Sequence, residues 1–151
     1  MSITPQPSDP GHLLNTLAEF RFELRRFLHF SERAALEAGL QPQQHQLLLQ
    51  VAGAPETTAV TIAYAAERLE LKHNSAVELV DRSEREGFLE RVVDGSDKRR
   101  VLLRITRKGR QILGRLASDH ARELNEMAPR LIGALERVRR HARLASRTEA
   151  Q

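Results

Sequence analysis

The stretch AVELVDRSEREGFLERVVDGSDKRRVLLRITRKG, residues 76–109, decides the fold of this chain. Its first part keeps apolar side chains at helical spacing up to Gly87, and residues 88–93 and 101–105 are then rich in residues that favour β-strands. These two runs flank DGSDKRR, a polar connector that starts with the turn-forming pair Asp-Gly. The stretch therefore predicts the end of a helix followed by a β-hairpin with a basic tip.

Two short helices are predicted immediately before this hairpin. Thr61 is placed to cap a helix over 62–69, and the next helix runs from about Lys72 to Glu86 with Gly87 as its C-cap. Two helices separated by so few residues are typical of a helix-turn-helix. Followed directly by a hairpin, they predict a winged helix.

The remaining segments complete a mainly α fold with a small β-hairpin wing. A further helix is expected from Pro42 to Gly53, and residues 54–60 form a connector, either irregular or a short strand. Residues 12–39 keep apolar groups at three- and four-residue steps, and Pro129 is expected to divide the C-terminal region into two helices, the second over 130–144.

This pattern predicts four functional regions along the chain. The outer helices have more apolar surface than a small module can cover, so we expect them to pair two copies about a two-fold axis. The predicted organisation is a flexible arm at 1–11, dimerisation helices at 12–39 and 107–146, a winged helix-turn-helix at 40–106, and a flexible tail at 147–151.

Composition excludes several classes of protein. Among 151 residues there are 24 Lys and Arg against 20 Asp and Glu, with 40% hydrophobic residues and only 6 Pro, which is typical of a folded, helix-rich chain. The absence of Cys excludes disulfides, thiolate metal sites and cysteine chemistry. No apolar run is long enough to span a membrane and the N-terminal residues do not resemble a secretion signal, so the expected location is the cytoplasm.

A run of basic residues free of acids indicates a polyanionic partner. Its members between residues 98 and 115 are Lys98, Arg99, Arg100, Arg104, Arg107, Lys108, Arg110 and Arg115. A charge run is usually a solvated helix face, but three of these cations lie on the hairpin tip, where a packing role is hard to imagine. Double-stranded DNA, whose phosphates gain from counterion release, is the partner that such a cluster favours.

The first turns of the fourth helix carry side chains suited to reading bases. These are Lys72, His73, Asn74, Ser75 and Glu78. In a major groove, Lys donates to guanine, Asn bridges adenine and Glu accepts from cytosine. The alternative for Asn74 and Ser75 is helix capping.

These residues resemble the MarR family of winged-helix transcription regulators. DGSDKRRVLLRIT at 94–106, followed by Arg107, Lys108 and Gly109, is similar to the family's wing signature, and residues 76–91 are similar to its recognition-helix end and wing entry. The resemblance implies a homodimer in which each winged helix reads one half of a roughly palindromic operator, most often as a repressor. It implies that Asp97 orients the wing arginine Arg99.

Several positions depart from the family pattern. Lys98 replaces the more usual Arg, and Arg100 is an extra cation that competes with Arg99 for the same role. Ser83 stands where the family usually has a buried Leu, and Glu78 stands where Arg is common. The departure at Glu78 predicts an operator that differs from those of familiar members.

The resemblance also implies a small aromatic or lipophilic effector. The candidate ligand-binding residues are His29, Phe30 and His45, whose alternative role is ordinary core packing. No cofactor and no metal site are expected, because the six His are scattered without ligand spacing. No catalytic motif points to an enzyme. The rival hypothesis is a winged-helix module that binds a protein without specific DNA readout.

Overall fold

The computed structural model describes residues 10–149, with the side chains of 11–144 and 146. The fold is mainly α with a two-stranded hairpin, which confirms the predicted winged-helix architecture. In chain order its elements are α1 (Pro10–Glu37), α2 (Pro42–Ala52), α3 (Ile62–Arg68), α4 (His73–Arg85), β1 (Leu89–Val93), β2 (Val101–Ile105) and α5 (Arg107–Glu149). No helix within residues 10–149 combines the length and apolarity needed to cross a membrane.

The described residues form two compact units, and their boundaries fall inside helices. One unit comprises residues 32–119, and the other comprises 10–31 with 120–149. The first unit is therefore wider on both sides than the winged helix predicted at 40–106. The reason is packing, since its core takes in Ala35 from the end of α1 and Leu116 from α5.

Apolar side chains from all the elements of unit 32–119 fill its core. Leu47 and Leu48 of α2 and Val80 of α4 are completely buried, and Leu89 of β1 and Leu103 of β2 lie against them as part of the same cluster. Each fully buried side chain of this size contributes about 1.5–3 kcal/mol through removal from water. The helix α4 and the two strands of the hairpin are therefore packed against the same hydrophobic core.

The turns of the helix-turn-helix follow local capping rules. The Thr61 hydroxyl accepts a hydrogen bond from the Tyr64 N–H at 3.1 Å, which confirms the predicted N-cap of α3. Gly87 has a φ of 78° and Gly39 a φ of 88°, and they end α4 and α1 as predicted. Glu70, between α3 and α4, has a φ of 53°, a conformation that glycine adopts more readily.

The wing is a regular antiparallel hairpin. Leu89 pairs with Ile105 and Val93 with Val101. The connector at 54–60 forms no strand among the described residues, although the Leu103 N–H donates to the Val60 carbonyl at 2.7 Å. One backbone bond holds the connector against β2 without extending the sheet.

The predicted division of the C-terminal region at Pro129 is wrong. The helix α5 continues through Pro129 as one element. Proline removes one helical hydrogen bond, but Pro129 and Asn125, whose carbonyl loses its donor, are both exposed to water. Met127 and Ala134 are buried on either side of the proline, and this packing favours continuity over a break.

The outer ends of the helices also differ from the prediction. The helix α1 begins at Pro10, two residues before the predicted start, because proline suits a first helical turn. The helix α5 reaches Glu149, so residues 147–149 are helical and not part of a tail. The remainder of the predicted arm and tail, residues 1–9 and 150–151, lies outside the described residues.

Candidate nucleic-acid interface

The first turn of α4 presents polar side chains to solvent. The exposed residues here include every predicted base-reading position: Lys72, His73, Asn74, Ser75 and Glu78. Lys72 is the N-cap residue and makes no side-chain capping bond, and Asn74 and Ser75 lie inside the helix, one and two residues after its first residue. Their side chains are available for an external partner.

The opposite side of α4 anchors the helix. Ala76, Leu79, Val80 and Ser83 are buried there. Ser83 is completely buried, and its hydroxyl donates to the Leu79 carbonyl at 2.8 Å. The bond satisfies the Ser83 hydroxyl. Serine at this position, where the MarR family usually has leucine, therefore leaves no unpaired donor in the core.

Arg91 of β1 ties the hairpin to α4. Its Nη2 donates to Asp81 Oδ1 at 2.5 Å, its Nη1 pairs with Glu84, and its backbone N–H donates to Glu84 Oε1 at 3.0 Å. The bond to Asp81, with that to Glu84, raises the pKa of Arg91 above its ordinary value. Sequence reasoning missed this residue because the pairing joins two elements across the turn at Gly87.

At the wing tip, the two arginines have different environments. The Arg99 side chain is 92% exposed, and its Nε lies 3.3 Å from Asp97 Oδ1. Arg100 is only 44% exposed, because its Nε and Nη2 donate to Asp94 Oδ2 at 2.7 and 2.5 Å. Arg100 therefore does not compete with Arg99 for Asp97. Lys98 is exposed.

Asp94 is the most strongly perturbed carboxyl group among the described residues. Its Oδ1 accepts hydrogen bonds from the Ser96 backbone N–H at 2.9 Å and from the Ser96 hydroxyl at 2.8 Å. These bonds, followed by that from Arg100, lower the pKa of Asp94 to about 2. Asp94 is consequently ionised at any pH near neutrality.

Part of the acid-free basic run is used inside the fold. Arg104 pairs with Glu90 on the neighbouring strand at 2.9 Å. Lys108 Nζ donates to the Glu86 carbonyl at 2.7 Å and lies 4.6 Å from the centre of the Phe88 ring. Glu90 thus compensates the charge of Arg104, whereas Lys108 keeps its charge but is held by neutral groups of the protein.

The candidate effector residues are distributed over the two units. In unit 10–31 with 120–149, the Phe30 ring packs edge-on against His120 at 5.3 Å, and His120 Nε2 lies 2.8 Å from Ser31 Oγ. His29 is exposed in that unit, whereas His45 is buried in unit 32–119. Sequence reasoning did not identify the ring contact of His120, because its partners lie 90 positions earlier in the chain.

Comparison with known proteins shows similarity to one family of regulators. The sequence profile of the MarR family matches residues 38–100. A Thauera aromatica protein, assigned as a transcriptional regulator for the hcr operon, is 27% identical over 90% of this chain and 89% of its own length.

Solved structures agree in fold. A mutant of MepR from S. aureus, bound to an oligodeoxyribonucleotide, gives a TM-score of 0.60 at 19% identity, with 87% of this chain and 94% of that chain covered. CouR from Rhodococcus jostii RHA1, bound to p-coumaroyl-CoA, gives 0.60 at 22% identity, with 82% and 81% covered. With the profile match over residues 38–100, these likenesses make the chain similar in sequence and in winged-helix fold to transcriptional regulators of the MarR family.

Proposed function

We propose that this chain represses transcription as a homodimer that binds a pseudo-palindromic DNA operator. The observation that carries the proposal is that one compact unit, 32–119, exposes both the polar first turn of α4 and the cationic tip of the wing. The relative MepR is bound to DNA in its solved structure, which supports the same partner here. In this proposal α4 enters the major groove and the wing enters the adjacent minor groove.

In this proposal each exposed side chain contacts the part of the DNA that its hydrogen-bonding groups fit. Lys72 donates to guanine, Asn74 pairs with adenine, and Glu78 accepts from cytosine, while His73 and Ser75 bond to bases or phosphates. At the wing, Lys98 and Arg99 supply the positive charge, with Asp97 orienting Arg99.

The exposed apolar side chains of α1 and α5 support dimerisation. In unit 10–31 with 120–149, large apolar side chains face water at Leu14, Leu17, Phe22, Leu28, Leu124, Ile132 and Leu135. A second copy would remove this surface from water. Sedimentation equilibrium should show a dimer that Ile132→Glu weakens and the control Leu49→Glu, at an exposed position of α2, does not. A monomeric wild type would contradict the homodimer.

We further propose that a small aromatic or lipophilic effector releases the DNA. CouR is bound to p-coumaroyl-CoA, which supports an aromatic acid or its thioester as the class. His29 and Phe30, which belong to one unit, remain the residues proposed to contact it. Benzoate and p-coumaroyl-CoA, titrated into the protein–DNA complex, should lower the DNA affinity of the wild type and have less effect on Phe30→Ala. No response to either compound would contradict this part of the proposal.

The central test is DNA binding by Arg99→Ala. Fluorescence anisotropy would use a duplex selected from a randomised pool by the wild type, with competitor DNA and several salt concentrations. Loss of a charge-assisted bond should lower affinity roughly tenfold or more for each wing. The control Arg139→Ala, an exposed arginine of α5, should bind as the wild type does. Weak binding without sequence preference, unaffected by Arg99→Ala, would favour the protein-binding module instead.

A further inference from the structure

The tip of the wing is closed by hydrogen bonds between its two ends. The Asp94 N–H donates to the Arg100 carbonyl at 2.9 Å, and the Arg100 N–H donates to the Asp97 carbonyl at 2.9 Å. Between these residues, the Asp94 carboxylate accepts both the backbone N–H and the hydroxyl of Ser96 on Oδ1. The loop is thus folded back on Asp94.

The Arg100 guanidinium occupies the other oxygen of that carboxylate. Two of its nitrogens donate to Asp94 Oδ2, and the Asp94 side chain is only 9% exposed. A carboxylate with both oxygens engaged and almost no contact with water is a fixed structural element. By contrast, the neighbouring Arg99 donates to Asp97 Oδ1 from its backbone N–H at 3.1 Å and from Nε at 3.3 Å, and its side chain is exposed to solvent.

We infer that the Asp94–Arg100 ion pair is a brace that positions Lys98 and Arg99 for DNA, and that Arg100 is a positioning residue which does not contact phosphate. The inference rests on the proposed function of the wing. Ordering a flexible residue costs about 1–2 kcal/mol, so a loop that is already ordered in the free protein avoids that cost on binding. The brace therefore strengthens DNA binding although its own charge is neutralised within the loop.

Salt dependence separates a positioning arginine from one that contacts phosphate. Each phosphate contact contributes about 0.9 to the slope of log K against log salt, so removing a contact lowers the slope, whereas disordering the loop lowers the affinity at every salt concentration. Arg100→Gln and Asp94→Asn should therefore weaken binding with little change in slope. The matched control, Arg99→Gln, should lower both affinity and slope.

The experiment compares Arg100→Gln, Asp94→Asn, their double variant and Arg99→Gln on the duplex selected by the wild type. For a dimer with both wings changed, each brace variant should bind roughly five- to thirtyfold more weakly. The double variant should bind about as weakly as either single one, because each breaks the same interaction. A fall in slope for Arg100→Gln equal to that of Arg99→Gln, or wild-type affinity for both brace variants, would overturn the inference.

A second measurement tests, in the absence of DNA, whether the Asp94–Arg100 ion pair orders the loop. Hydrogen exchange of the Ser96 and Arg100 amides in the free protein should be roughly tenfold faster in Arg100→Gln and Asp94→Asn, and unchanged in Arg99→Gln. Unchanged exchange in the brace variants would overturn the inference. If the wild type selects no duplex, the proposed function fails, while this exchange measurement still decides whether the brace orders the loop.

Discussion

The substitution Gly109→Ala should destabilise the folded chain through a single backbone clash. A Cβ at position 109 would lie 2.1 Å from the Phe88 carbonyl oxygen and 2.9 Å from Ile105 Cγ1. The Phe88 carbonyl oxygen belongs to the backbone, so it cannot rotate away as the end of a flexible side chain would. The Phe88 carbonyl also accepts the Thr106 N–H at 3.1 Å, and this bond joins the residue before β1 to the residue before α5.

The expected magnitude combines three contributions to the free energy of unfolding. Overpacking costs about 1–3 kcal/mol, and the upper part of that range applies because the carbonyl must move by about 1 Å. Weakening the bond between Thr106 and Phe88 costs a further 0.5–1.5 kcal/mol or so, whereas alanine in place of glycine favours the helix by about 1 kcal/mol. The net loss should be about 2–3 kcal/mol.

The helix α5 supplies a matched control five residues further on. A Cβ at Gly114 meets no atom within 4 Å, and the position is exposed. The substitution Gly114→Ala should therefore stabilise the chain by about 0.5–1 kcal/mol. Urea denaturation followed by circular dichroism would measure both variants at one protein concentration, because unfolding of a dimer depends on concentration. Equal stability of the two alanine variants would refute the reasoning.

Three further predictions concern other parts of the chain. Because Glu70 has a φ of 53°, Glu70→Gly should stabilise the chain by about 0.5–1 kcal/mol in urea denaturation, whereas Glu67→Gly inside α3 should destabilise it by about 1 kcal/mol. Met127 is completely buried, so Met127→Ala should lower the free energy of unfolding by about 2–5 kcal/mol, while Glu126→Ala at an exposed site should change it by less than about 0.5 kcal/mol. The pKa of Asp94 is lowered to about 2, so its ionised form stabilises the fold above about pH 4, and this contribution is lost as the pH falls through about 2. The stability difference between the wild type and Asp94→Asn should shrink over that interval; a constant difference would contradict the pairing.

The sequence by itself determined the elements whose signals are local. A helix cap acts over three residues and a glycine with positive φ acts at its own position, so Thr61, Gly39 and Gly87 set the helix boundaries where the pattern predicted them. The two runs of strand-favouring residues on either side of the connector that starts with Asp-Gly likewise predicted the hairpin. These signals, with the wing signature, also indicated the MarR family.

Only the tertiary structure decided what depends on distant partners. The helix continues through Pro129 because packing outweighs the one lost backbone bond, and local sequence signals carry no information on packing. The different environments of Arg99 and Arg100 were equally hidden, since both are cations at one hairpin tip. Folding of the loop brings Asp94 to Arg100 and leaves Arg99 in water. Local preferences determined where helices and strands form, whereas the folded chain determined which charges are paired within it and which remain exposed for a partner.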